Sequence, residues 1–383
     1  MKKLLLCTIF LLAGCDGLFS ELGALEYRPK AVEVSAGGQH SCALFPWGDV
    51  KCWGGGERGQ LGQGSTASSI YPVDVDISGV VSLSAGRNHT CAVVEDGGVK
   101  CWGAGDRGQV GPQSAARNAW PTEVGIENAR EVSSGYHFSC ARLATGEVRC
   151  WGRGTGGQLG NGAEEDSDTP VAVDSLRDVE SISSGGGLFL GVHEGHACTL
   201  TGDGNVHCWG TNTARQLGDG STDSSSTPIL VEDVREVKEL CTGFAHTCAL
   251  LNSGRIRCWG AAGTGQLGYG SSPILAPVEH KEVESISTGR SISCGSGHTC
   301  AVLEDGSVQC WGQGNKGQNG RQENTNVPHQ VEGVSDVIHI SAGFQHTCAV
   351  TAEGSVFCWG DNSENQLGEI DVLESATPVQ IEF

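Results

Sequence analysis

One feature limits what this chain can fold into more than any other. A cysteine, nine residues, a second cysteine and then Trp-Gly recur seven times. The pairs are Cys42/Cys52, Cys91/Cys101, Cys140/Cys150, Cys198/Cys208, Cys248/Cys258, Cys300/Cys310 and Cys348/Cys358. Successive first cysteines lie 49, 49, 58, 50, 52 and 48 residues apart. A period of this size belongs to a propeller or a solenoid.

In the second copy, His89–Val94 and Gly98–Trp102 are β-rich runs separated by Glu95, Asp96 and Gly97. A three-residue hairpin loop joins a type I turn to a third residue in the left-handed region, where glycine avoids a Cβ clash. That third residue is glycine in every copy: Gly48, Gly97, Gly146, Gly204, Gly254, Gly306 and Gly354. The register follows, and it sets Cys91 opposite Cys101 in a non-hydrogen-bonded pair, where Cα atoms approach to ~4.5 Å. That separation suits a disulfide. One bridge per hairpin is expected, each closing a short ring for at most about 2.8 kcal/mol. Zinc knuckles place their cysteines two to four residues apart. Nine intervening residues leave one thiol pair per hairpin, too few for a metal site.

A β-branched run ending in Ser-Ala-Gly precedes each hairpin (Val80–Gly86, Val234–Gly243, Val337–Gly343) and is read as strand A. The hairpin supplies strands B and C. A Gly-Gln-Leu-Gly loop follows, then a Pro-Val run as strand D (Pro72–Val75, Pro170–Val173, Pro228–Val231, Pro378–Phe383). Seven such units predict an all-β chain, a seven-bladed β-propeller of four-stranded antiparallel blades. No helical periodicity competes. With each repeat a whole blade, no strand is exchanged between the ends, and the first and last blades are expected to meet by face-to-face packing alone.

The pattern SAGxxHTxAL…GxVxxWGxxxxGQLG resembles the repeat of the regulator of chromosome condensation family over roughly residues 31–383. The resemblance implies a seven-bladed propeller. Some bacterial relatives are secreted protein-binding propellers, one of them a β-lactamase inhibitor, so the resemblance also implies a binding role. The hairpin cysteines depart from the eukaryotic nuclear members and fit an exported version.

Residues 1–14 read as an export signal: Lys2 and Lys3, then the apolar run Leu4–Ala13, too short to span a bilayer. Leu12-Ala13-Gly14-Cys15 resembles a bacterial lipobox, which implies cleavage before Cys15 and a lipid on its sulfur. Residues 15–30 would then be a lipidated tether, and the protein would sit in the bacterial cell envelope on the extracytoplasmic side. An ordinary secretory signal with a chance cysteine is the competing reading. Of 18 cysteines, Cys7 leaves with the signal and Cys15 takes the lipid. Sixteen remain: the hairpin pairs plus Cys241 and Cys294. An even remainder in an exported chain fits a disulfide framework. Cys241, ending strand A of unit five, and Cys294, placed in the A–B loop of unit six, are expected to form an eighth bridge.

The formal charge of −21 argues against nucleic acid or an anionic membrane surface as partner. Membrane contact is expected through the lipid only. His40, His89, His196, His246, His298 and His346 share one repeat position, which Phe138 takes in unit three beside His137. Adjacent blades stack ~10 Å apart and a metal ligand must reach to ~2.1 Å, so one histidine per blade is read as structural. The seven Cys-Trp-Gly tryptophans are read as inter-blade packing. The Gly-Gln-Leu-Gly loops lack a following helix or a Walker lysine and are read as turns, not phosphate cradles. Gly160–Asp168, with four carboxylates, is either a calcium loop or a solvated acidic loop.

Departures from the repeat point to function. Units four and six have long intervals before the first hairpin cysteine, assigned to insertions Gly185–Gly195 and Gly289–Gly297 in A–B loops. Leu188, Phe189, Leu190, His193, Glu194 and Arg290 are the partner-binding candidates. They imply a protein or envelope component docking on the A–B/C–D face, with functionless loop drift as the alternative. No catalytic residue, cofactor or metal site is indicated. Two rival functions remain: nucleotide exchange on a small GTPase, by resemblance, and a propeller enzyme acting on envelope polysaccharide.

Overall fold

The computed structural model describes residues 29–383 except 113–114, 190–191, 271–280, 284–285, 287 and 370. Seven four-stranded antiparallel sheets follow one another along the chain, each in the order A-B-C-D. Blade two is typical: A is Val80–Ala85, B is His89–Val94, C is Val99–Ala104 and D is Arg117–Glu123. No helix occurs among the described residues. Inner ends of all seven strands A line one axial cavity, so A is innermost and D outermost.

The predicted register is the observed one. Val93 faces Val99, Ala92 faces Lys100 and Cys91 faces Cys101. Each 9-spaced pair is bridged within its hairpin. The Cα atoms of Cys42–Cys52 and Cys140–Cys150 are 4.0 Å apart. Those of Cys91–Cys101, Cys198–Cys208, Cys248–Cys258, Cys300–Cys310 and Cys348–Cys358 are 4.1 Å apart. This is closer than the ~4.5 Å expected of an unbridged non-hydrogen-bonded pair, so the bridge draws the two strands together.

Blades are joined by a repeated set of side-chain contacts. Each hairpin tryptophan is fully buried, and Trp102 of blade two packs among blade-one residues Leu61, Val75 and Val50. Losing such a residue typically costs about 3–5 kcal/mol. Trp151 Nε1 donates to the Gln109 carbonyl at 2.9 Å, and Ser139 Oγ donates to the same oxygen at 3.1 Å. His89 Nε2 lies 2.9 Å from Ser139 Oγ. The hydroxyl has spent its one proton on the carbonyl, so the imidazole must donate and carries its proton on Nε2. Gln109 Oε1 in turn accepts from the Arg107 amide, which holds the loop. This explains the Gly-Gln-Leu-Gly motif: its glutamine carbonyl is the socket for the next blade.

The histidine–hydroxyl bond recurs as His40–Thr90, His196–Thr247, His246–Thr299, His298–Thr347 and His346–Ser41. Only the seam between blades three and four lacks it. There Phe138 stands for the histidine and Ala197 for the hydroxyl, both buried in one apolar cluster. Each substitution alone would strand a polar group; together they are consistent.

The ring closes without strand exchange, but packing alone does not hold it. The seam of blades seven and one carries the two bonds seen between blades two and three, His346 Nε2 to Ser41 Oγ at 2.9 Å and Trp53 Nε1 to the Gln366 carbonyl at 2.9 Å. The Ala36 amide also donates to Ser341 Oγ at 3.0 Å. Phe383 adds edge-on contacts to Phe45 and Trp53, at 5.1 and 5.9 Å between centroids.

Two expected insertions are corrected. In blade four the extra residues are not a loop. Strand A runs Val179–Phe189 and strand B runs Val192–Thr201, still paired at Leu188 to His193 and Phe189 to Val192. In blade six, strand A is Gly289–Cys294 itself. The Ser285-Ile286-Ser287 run taken for it lies upstream, and the A–B turn has ordinary length. Cys294 therefore ends a strand, and its bridge to Cys241 joins two adjacent inner strands with Cα atoms 5.3 Å apart.

Candidate functional site

Antiparallel strands send the A–B turns and C–D loops to one face and the B–C turns to the other. On the A–B face the turns bring their first variable residue toward the axis: Arg87, Tyr136, Phe244, Ser296 and Phe344. Tyr136 of blade three reaches Phe344 of blade seven across the ring, with centroids 5.4 Å apart. The Arg87 guanidinium sits 4.4 Å from the Tyr136 ring centre, an attraction that strengthens away from water. Burial raises the Tyr136 phenol above its ordinary range, while the Arg87 charge opposes the shift. These side chains cap a cavity of about 70 Å³.

Beside the cap stands the extended hairpin of blade four. Three glycines let it lie along the A–B turn of blade five. A side chain at Gly185 would meet the Gly243 carbonyl at 2.1 Å, and one at Gly187 would meet the Phe244 ring at 2.4 Å. Gly186 has φ 139°, and its amide donates to the Gly243 carbonyl at 3.0 Å. Such backbone geometry is open to glycine and to few other residues.

Of the sequence-derived candidates, Leu188, Phe189, His193 and Glu194 belong to the paired strands of this hairpin. Leu190 lies outside the described residues, as does Cys15 with its expected lipid. Arg290 must be withdrawn from the group. It is the second residue of strand A in blade six and so stands at the opposite face, where its carbonyl accepts from Lys238 Nζ at 2.9 Å. The aromatic cap was missed; its one signal is that Tyr136, Phe244 and Phe344 place large aromatics directly after the constant glycine of the A–B turn.

The hairpin cysteines take no part in the cap. Cys42, Cys91, Cys140, Cys198, Cys248, Cys300 and Cys348 on strands B are fully buried. So are their partners Cys52, Cys101, Cys150, Cys208, Cys258, Cys310 and Cys358 on strands C. All lie in the middle of their blades, which makes them structural bridges and leaves none of them to a ligand.

Deeper in the channel, one strand-A position reads Glu33, Ser82, Glu131, Ser181, Glu239, Ser291 and His339 around the ring. Several of these groups bridge neighbouring blades. Ser291 Oγ donates to Glu239 Oε1 at 3.0 Å, and the Val34 amide donates to His339 Nδ1 at 3.5 Å. Arg142 pairs with Glu131 at 3.0 Å. Desolvation lifts Glu33 and Glu239 to about 7 and drops His339 to about 4.

The acidic stretch Gly160–Asp168 has a structural member: Asp166 Oδ1 accepts from the Gly154 amide at 3.0 Å. Ser68 and Asn324 cap the matching turns of other blades. The sulfurs of Cys241, Cys248 and Cys294 lie within 4.8 Å of one another. All three are in disulfides, Cys241 with Cys294 and Cys248 with Cys258, so they offer no thiolate to a metal.

Two family models, both of the regulator of chromosome condensation (RCC1) repeat, match this chain. One covers residues 31–60, 80–109, 129–158, 237–266, 290–318 and 337–366. The other covers 48–93, 145–190, 203–250, 253–302, 305–350 and 353–383, more than half of the chain. In structure the chain is similar to Prp20p from Saccharomyces cerevisiae, which binds Gsp1p and histones. The TM-score is 0.75 with 20% identity, over 93% of this chain and 88% of that one. It is similar also to human WBSCR16, with TM-score 0.75 and 20% identity over 86% and 94% of the two chains. An ectodomain of the Arabidopsis thaliana receptor kinase ACR4 matches at TM-score 0.54 and 18% identity, over 92% and 99%. At these identities the likeness is one of fold.

Proposed function

The chain belongs to the regulator of chromosome condensation repeat family, and from that premise we propose that it is a non-enzymatic, lipid-anchored binding propeller of the cell envelope. Its eight disulfides fit an oxidising, extracytoplasmic compartment. The anchor is a lipid on Cys15, carried by residues 15–30 after removal of 1–14. Binding proteins is what relatives such as Prp20p do, and this chain would do the same with a protein or envelope component on the A–B/C–D face.

The observation that carries the reading is the hairpin of blade four. It is the A–B connection that outgrows the ring, and it rises beside an aromatic cap. Leu188 and Phe189, with Leu190, supply the apolar anchor; His193 and Glu194 supply a polar rim. Glycine contacts at Gly185–Gly187 seat the base of this hairpin on blade five, and a base fixed before binding lowers the cost of association.

Deleting residues 187–194 restores the spacing of the other blades, Ser183 to Cys198 becoming equal to Ser84 to Cys91. The expected result is loss of capture from envelope extract with the melting temperature nearly kept. Phe189→Ala should weaken capture about tenfold or more, as hot-spot aromatics do. Unchanged capture by the deletion variant would refute this placement of the site.

A further inference from the structure

The opposite face carries a second surface. On six B–C turns the residue before the conserved glycine is polar: Asp96, Thr145, Asp203, Ser253, Asp305 and Glu353. On blade one it is Trp47, 80% exposed. The same face shows the outward residue at the foot of each strand A. In blade order from one to seven it is Val32, Val81, Arg130, Glu180, Lys238, Arg290 and Ile338. Blades seven, one and two are consecutive around the ring, and theirs are the apolar ones: Ile338, Val32 and Val81, 37%, 43% and 51% exposed. The apolar feet therefore form one arc, centred on the blade that carries Trp47.

The chain also enters the fold here. Lys30 packs on Gly354 in the B–C turn of blade seven, and the Ala31 amide donates to the Gly354 carbonyl at 3.0 Å. Pro29, the first described residue, lies on this face beside Lys30 and Gly354. Residues 15–28 could span at most about 50 Å, so a lipid on Cys15 tethers this side of the disk to a bilayer.

We infer that the arc of Trp47, Val32, Val81 and Ile338 rests on the lipid surface, so that the propeller stands with its blade-four hairpin turned away from the membrane. This rests on the anchored reading above. Tryptophan prefers the membrane–water interface because its ring is apolar and its N–H stays wet. Asp49, Glu95, Asp96 and Glu353 are exposed around the arc and outnumber the exposed Lys30, which favours a zwitterionic surface over an anionic one. Tethering makes the weak contact effective by raising local concentration.

The test uses the lipidated full-length protein with phosphatidylcholine vesicles whose acyl chains are brominated near the headgroup. Protein should float with the vesicles. Tryptophan emission should be quenched, Trp47→Phe should remove most of the quenching, and Trp120→Phe on the outer rim should leave it. Adding phosphatidylglycerol should weaken it; strengthening would overturn the choice of a neutral surface. Flotation without Trp47-dependent quenching overturns the orientation alone, while absence of flotation sinks the anchor and this inference with it. If Trp47→Asp changes only the sedimentation of the protein in detergent, the arc is a contact between copies and the inference fails.

Discussion

Cys241 occupies the strand-A position that is serine in the six other blades, and its sulfur is bonded to Cys294 where those serines hold the next blade's amide. Ser35 Oγ accepts from the Ala85 amide at 2.8 Å, Ser84 from Ser134 at 2.9 Å and Ser133 from Ser184 at 2.9 Å. Ser183, Ser293 and Ser341 repeat the contact to Thr242, Ala342 and Ala36. The eighth disulfide is thus a covalent substitute for one member of a ring of hydrogen bonds.

The Cys241→Ser/Cys294→Ala variant should restore the serine contact and lose the bridge. A bridge between cysteines 53 positions apart is worth at most about 4 kcal/mol in the chain-entropy model. The regained hydrogen bond offsets about 1 kcal/mol. A net fall in thermal midpoint of several degrees is expected by scanning calorimetry under non-reducing conditions. An unchanged midpoint would show that the bridge adds nothing over serine. Both cysteines must go, because one left behind as a thiol would sit within 4.8 Å of Cys248 Sγ and could attack the Cys248–Cys258 bridge.

The seam of Phe138 and Ala197 invites a double-mutant cycle. Phe138→His alone buries an imidazole without its hydroxyl and should cost about 1–3 kcal/mol. Ala197→Thr alone sets a hydroxyl against an aromatic ring and should also destabilise. Together they install the bond seen at the other six seams, and their coupling should reach about 1 kcal/mol or more. Denaturant midpoints measure all four proteins; strictly additive losses would refute the pairing.

What could be read from the chain, and what could not, divides along physical lines. The hairpins were legible because a fixed loop with a left-handed glycine leaves one register, and Cys91 then faces Cys101. The same register sets Cys52, Cys150, Cys208, Cys258, Cys310 and Cys358 opposite their strand-B partners. Blade six misled because Ser285-Ile286-Ser287 and Ser291-Ile292-Ser293 both look like strand A, and only pairing of Ser293 with Cys300 decides between them. Blade four misled because three consecutive glycines resemble a loop, whereas their contacts to Gly243 and Phe244 lie more than 50 residues away in sequence. The seams were half visible: Phe138 was conspicuous, but its partner Ala197 is informative only once blades are known to stack.

Acid should unfold this protein well before its surface carboxylates are neutralised. Burial depresses the ring histidines below their usual 6.5: His40, His196 and His298 to about 3, and His89, His246 and His346 to about 4. His339 is likewise at about 4. Unfolded, these groups take up protons as pH falls through 6.5; folded, they resist until pH 4 or below. The unfolded state therefore binds more protons in that window, and stability falls with pH. Three buried carboxyls oppose this. Glu33 and Glu239 are raised to about 7, and Glu131 is raised by burial against its Arg142 pairing. Between 4.5 and 7 Glu33 and Glu239 hold protons in the fold and lose them on unfolding, which favours the fold as pH falls, and Glu131 acts in the same direction. Seven histidines outweigh three carboxyls, so unfolding takes up protons on balance near pH 5. The melting temperature should be level near pH 7 and drop steeply from pH 6 to 5. Replacing both Glu33 and Glu239 by Gln should steepen the drop, because the opposing groups are gone. A melting temperature that stays flat to pH 4.5 would mean that the ring histidines are not held neutral.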